Sequence, residues 1–129
     1  SRLIAATTWL QKNPATQELN IGYFGASTGA AAALQAAADL GNSIAAVVSR
    51  GGRPDLAGEY FLARVSAPTL LIVGGYDNEV IRLNEDAYAQ LHCKKELIIV
   101  PGATHLFEEP GTLEQVARHA AAWFKRYLG

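Results

Sequence analysis

Methionine is absent from all 129 residues, cysteine occurs once, and no apolar run approaches the roughly 20 residues that a membrane-spanning helix needs. The single thiol, Cys93 between His92 and Lys94, has no second cysteine to pair with. That excludes an internal disulfide framework and a cysteine zinc cluster, and it makes a reducing, cytoplasmic setting the expectation. The chain opens on Ser1-Arg2-Leu3 without an initiator, so its natural start is expected to lie upstream. The lack of a leader-like segment therefore carries no weight. An excess of charge is missing too: 11 Lys plus Arg against 12 Asp plus Glu leave a net charge of -1, which argues against nucleic acid as a partner. With no spanning segment, no membrane partner is expected either. What remains is a chain 50% hydrophobic and only 18% charged, the balance of a folded core rather than a disordered tract.

Four short apolar runs followed by turn-forming residues read as buried strands: residues 20–24, 44–49, 69–73 and 96–100. Leu70-Leu71-Ile72-Val73 and Leu97-Ile98-Ile99-Val100 do not alternate with polar residues, the pattern of parallel strands covered on both faces. Helices are predicted between them. Residues 112–128 repeat Leu113, Val116, Ala117, Ala120, Trp123, Phe124 and Tyr127 at three and four spacing. Residues 28–40 are alanine-rich and end at Gly41, residues 1–12 stop at Asn13-Pro14, and residues 78–91 form an apolar stripe interrupted by Asn84. Trp9 and Trp123 are expected in the core. The predicted fold is α/β, one domain over residues 1–129: a parallel four-stranded sheet with helices on both faces.

The chemistry begins at Gly25-Ala26-Ser27-Thr28-Gly29, which follows the first strand and opens the alanine-rich helix. A serine on so sharp a strand-to-helix turn is held in strained geometry with its hydroxyl exposed, and Gly25 and Gly29 are the neighbours expected to leave it room. The new helix directs free amides at the same point, so the Thr28 N–H is the candidate oxyanion donor. A serine hydroxyl needs a base. Of three histidines, His92 lies at a helix end and His119 on a helix's polar side. His105 instead occupies the loop Pro101-Gly102-Ala103-Thr104-His105 beyond the fourth strand, at the carboxyl edge where ligand sites of open α/β sheets gather. Asp77, after Val73-Gly74-Gly75-Tyr76, is the carboxylate candidate at that same edge. Each has a plainer reading: Ser27 as a packing turn, Asp77 as a helix cap, His105 as a loop residue bonded to backbone.

These segments, 22–29, 67–77 and 100–107, resemble the carboxyl-terminal half of an α/β-hydrolase, in the dienelactone-hydrolase-like branch, over nearly the whole chain. The order serine, acid, histidine is the one that fold implies. The resemblance implies a serine hydrolase acting on an ester, lactone or thioester through an acyl-enzyme, with a small acyl substrate as partner and no metal or organic cofactor. Dienelactone hydrolases proper use cysteine where Ser27 stands, so dienelactone itself is not implied. The fold has eight strands and this chain supplies what resembles its last four. The expectation is a fragment, weak or inactive alone, without the second oxyanion donor and with an unpaired edge at strand 20–24 through which it self-associates or which residues 1–12 cover. Arg50 and Arg53, around Gly51-Gly52, are candidate ligands for a substrate carboxylate or phosphate, or else solvated loop residues. Glu108 and Glu109 are expected to be solvated. Two alternatives stand beside the hydrolase: a non-catalytic module holding an anion at the helix start, and a silent hydrolase-like segment of a larger protein.

Overall fold

The computed structural model describes residues 2–129. Five helices and four strands alternate: α1 Arg2–Lys12, β1 Ile21–Ala26, α2 Thr28–Leu40, β2 Ile44–Arg50, α3 Glu59–Leu62, β3 Thr69–Gly74, α4 Asn78–Gln90, β4 Lys95–Val100 and α5 Thr112–Leu128. Short 3-10 turns at Gly41–Ser43 and Pro54–Ala57 precede β2 and α3. All strands are parallel, in the order β1-β2-β3-β4. The fold is thus α/β with a doubly covered sheet, and every carboxyl end lies along one rim.

Alternation along the strands divides the core. Tyr23, Val47 and Leu71 face α2, α3 and α4 together with Leu34, Ala37, Leu62, Ala87 and Leu91. Ala46, Val48, Leu70 and Ile72 face the other way, onto Val116, Ala120 and Trp123 of α5. The alanine run of α2 contributes Ala30, Ala31, Ala33, Ala36 and Ala37, all buried, which lets its backbone lie close to β1 and β2. Trp123 spans the α5 side and donates its indole N–H to the Pro68 carbonyl at 3.1 Å.

Four expectations are corrected. β3 is buried throughout, but β4 is not: Glu96 and Ile99 are exposed, because β4 ends the sheet and the covering helices leave its outer side open. Trp9 is 62% exposed, since α1 turns Leu3, Ile4 and Thr7 toward the protein and Trp9 lies about 200° around the helix from Thr7. Leu113 and Ala117 fall outside the buried stripe of α5, which is carried by Val116, Ala120 and Trp123. Asn84, read as an interruption of α4, is wholly buried. The helix expected from residue 1 is described from Arg2, and Ser1 lies outside the described residues.

Among the described strands β1 pairs only with β2, so its other edge is open. α1 leans on α2 and joins the strand through a hydrogen bond between Thr7 and the Tyr23 hydroxyl. A groove of about 590 Å³ runs between them, lined in part by Arg2, Leu3, Tyr23, Gly25 and Gly29. No helix among the described residues is long and apolar enough to cross a membrane.

Candidate active site

Ser27 sits between β1 and α2 with φ 49° and ψ -125°, backbone that an L-residue adopts only under constraint from its surroundings. The constraint is visible. A Cβ at Gly25 would lie 2.7 Å from Ala30 Cα, Ala30 N and Gly29 O, so only glycine lets β1 run so tightly into α2. Gly29 differs from expectation: a Cβ there would meet nothing within 4 Å, so no steric demand explains it. The Ser27 carbonyl is held from two sides, by Ala30 N at 3.3 Å and Arg53 N at 3.0 Å.

Asp77 and His105 come from adjoining strands, and their loops are stitched together. Gly75 N donates to Val100 O at 2.8 Å and Tyr76 N to Ala103 O at 3.0 Å. At Gly74 a Cβ would press on Ala103 O at 2.5 Å and Thr104 O at 2.8 Å, which again requires glycine. Thr104 is pinned in turn: its N–H and hydroxyl donate to the two carboxylate oxygens of Glu109 at 2.9 and 2.7 Å. These bonds hold the Glu109 carboxyl below its ordinary pKa, which corrects the expectation that it is merely solvated. Phe107, at φ 55° and buried, closes the turn against Gly51.

The three side chains meet. Ser27 Oγ lies 3.1 Å from His105 Nε2, and His105 Nδ1 lies 2.8 Å from Asp77 Oδ2. Ser27 and Asp77 each occupy a helix N-cap, where their residue types ordinarily bond the helix amides, yet neither side chain makes a capping bond. Both forgo about 1 kcal/mol of cap stabilisation to face the imidazole. Thr28 opens α2, so its N–H is among the first-turn amides that have no carbonyl one turn back within the helix. The imidazole is partly open, its side chain 41% exposed against 17% for Asp77.

The arginines part ways. Arg53 is committed to Asp55, with Nε to Oδ1 at 3.0 Å and an Nη to Oδ2 at 2.9 Å, and this pairing raises its pKa above the ordinary value. Arg50, at the end of β2, lies over the Phe107 ring at 5.8 Å and makes no ion pair among the described residues. His92 is exposed in the turn before β4, at the amino edge of the sheet, and His119 is part-buried on α5. No group of three metal-ligating side chains gathers among the described residues.

The sequence model of the dienelactone hydrolase family matches residues 1–128. The chain belongs to that family. Its structure superposes on the dienelactone hydrolase of Anabaena variabilis ATCC 29413 with a TM-score of 0.97 and 61% identity, covering 99% of this chain and 59% of that one. The esterase domain of a Rhodothermus marinus protein shares the fold, with a TM-score of 0.80 at 24% identity over 99% of this chain and 68% of that one. Proteins of Mycobacterium tuberculosis strains H37Rv and CDC 1551 bearing the name "Putative phosphoribosyl transferase" are 62% identical over 128 residues, which is 99% of this chain and 29% of each of them. The chain thus spans under a third of these curated relatives and about three fifths of the Anabaena enzyme. Family membership and these superpositions place the chain on the α/β-hydrolase fold.

Missed by sequence reasoning were Glu109, Gly74 and Asn84. The first two left only weak signals: an acid five residues beyond a threonine, and a glycine before the expected turn. Asn84 left a stronger one, a polar residue within an apolar stripe.

Proposed function

We propose that this chain carries the catalytic relay of a serine hydrolase acting on an ester, lactone or thioester. The unbroken contact from Ser27 Oγ through His105 to Asp77, at 3.1 and 2.8 Å, is the observation that supports it. Asp77 accepts the Nδ1–H of His105, which leaves Nε2 as the base. Ser27 Oγ attacks the acyl carbon as Nε2 takes its proton, and the oxyanion forms against the Thr28 N–H. Collapse expels the alcohol or thiol, which receives that proton from His105, and leaves an acyl-serine. Water, deprotonated by the same nitrogen, then attacks the acyl carbon, the Ser27 oxygen departs with the proton, and the acid is released. Tyr76, Leu56 and Leu106, large and exposed on the loops of the same rim, suit a substrate with an apolar portion. Arg50, at the end of β2 and without an ion pair among the described residues, is a cation that an anionic one would meet on that rim.

Reaction of the folded protein with a fluorophosphonate tests the mechanism: Ser27 is expected to be labelled and His105→Ala to abolish labelling. A folded protein whose Ser27 stays unmodified would refute it. The name of the mycobacterial relatives supports a second setting, a hydrolase-like unit joined to another activity in a longer polypeptide. The open edge of β1 supports pairing with a second copy, and sedimentation velocity reads this directly, since a monomer at every concentration removes it.

A further inference from the structure

Asn84 is the one amide among the wholly buried large side chains, set in α4 where an apolar residue would pack more cheaply. Its Nδ2 donates to the carbonyl of Val80, one turn back, at 2.8 Å and to the carbonyl of Gly52 at 3.1 Å. Its Oδ1 is buried with no hydrogen-bond partner. A group that leaves one of its own atoms unsatisfied is retained for what the other atom does, and here that atom reaches across to the loop after β2.

Gly52 O and Arg53 N belong to the same planar peptide group, whose carbonyl and N–H point in opposite directions. One end of that group accepts from Asn84, and the other donates to the Ser27 carbonyl at 3.0 Å. A single peptide therefore joins α4 to the strained residue. It has little room to move: a Cβ at Gly52 would meet Ala30 Cβ and Ser49 Oγ, and one at Gly51 would approach His105 O at 3.1 Å. Gly51 N is itself tied to Ile72 O at 2.7 Å. Hydrogen bonds in series across one peptide also polarise one another, so Asn84 strengthens the bond at Ser27. Asp77 is the N-cap of the same helix, so the acid and the anchor are fixed to one rigid rod.

We infer that Asn84 is a positioning residue for Ser27, acting through the Gly52–Arg53 peptide to hold the elbow backbone, and with it the serine hydroxyl, at bonding distance from His105. The kinetic consequence rests on the hydrolase reading, whereas the backbone consequence does not. Asn84→Leu keeps the branched shape and the number of heavy atoms, at the cost of bulkier methyls, and removes the donor. In the full chain it is expected to lower kcat on a p-nitrophenyl ester by on the order of 10- to 100-fold, the scale for misplacing a reacting group by up to 1 Å. KM should stay within about twofold, and exchange of the Arg53 amide should accelerate at least about tenfold relative to the Leu71 amide. A residue that merely filled the core would lower stability and leave kcat per folded molecule and relative Arg53 protection alone; that result overturns the inference. Asn84→Ala replaces the leucine variant if the latter does not fold. In the wild type, an Arg53 amide exchanging like an exposed loop overturns it without any variant. If the wild type neither hydrolyses esters nor labels with a fluorophosphonate, the hydrolase reading fails while the exchange comparison still decides the role of Asn84.

Discussion

Replacing each glycine beside Ser27 by alanine in turn separates a steric requirement from a merely habitual spacing. At Gly25 the added methyl would stand 2.7 Å from three backbone atoms, Ala30 Cα, Ala30 N and Gly29 O. Carbon contacts ordinarily settle at roughly 3.5–4.0 Å, so either β1 or the first turn of α2 must retreat by about 1 Å. Overfilling of this kind costs about 1–3 kcal/mol, which in a chain of this size lowers Tm by roughly 5–15 °C. Ser27 moves with that turn, and on the hydrolase reading a 1 Å displacement costs on the order of 100-fold in rate. At Gly29 nothing lies within 4 Å of the added atom, and exchanging glycine for alanine in a helix gains about 0.5–1 kcal/mol. The assay pairs a thermal melt with the second-order rate of fluorophosphonate labelling. Gly25→Ala should lose both stability and labelling, and Gly29→Ala should hold or raise Tm and keep its rate within a few-fold. Labelling of Gly25→Ala at the wild-type rate with an unchanged Tm, or equal damage from both substitutions, refutes the reasoning.

Asp77→Asn removes the acceptor of the His105 Nδ1–H and favours the wrong tautomer; ester hydrolysis near pH 7 should fall on the order of 10⁴-fold with the fold intact, read by steady-state kinetics and circular dichroism. Leu71→Ala empties the middle of the α2–α4 core and should cost about 2–5 kcal/mol by urea denaturation, with no change in m. Glu109 has a folded pKa below its ordinary 4.5, so the unfolded chain binds the extra proton, and its contribution is complete above that value and fades as pH falls through the lowered one. Glu109→Gln should therefore be less stable than wild type at neutral pH, with the gap closing as an acid titration of the melting temperature passes below the ordinary carboxyl value.

Much of this was legible beforehand because the local signals agreed with the tertiary outcome. The alanine run from Thr28 to the Gly41 cap and the apolar repeat from Thr112 onward are read by the same rules alone and in the fold. Ser27, Asp77 and His105 were locatable because parallel strands deliver every following loop to one rim, so chain position alone brought them near one another. Where reading failed, the deciding partner was distant in sequence. Leu97-Ile98-Ile99-Val100 is as apolar as a central strand, and only the strand order shows that β4 has one neighbour. Asn84 looked like a defect in α4 because its partner, the Gly52 carbonyl, lies 32 residues earlier. Gly29 satisfied a pattern without satisfying a clash, and motif matching cannot tell those apart.

The stitching of the Gly75 and Tyr76 amides onto the loop after β4 gives the site an uneven mechanical design. Acid and imidazole are fastened to each other through their own loops, whereas the hydroxyl rides on a different strand and is braced against them by the tightly packed Gly51-Gly52 turn. A change at that brace therefore alters the spacing of the Ser27 hydroxyl and the imidazole while leaving the contact between imidazole and Asp77 in place. Anyone wishing to alter that spacing has a single brace to adjust.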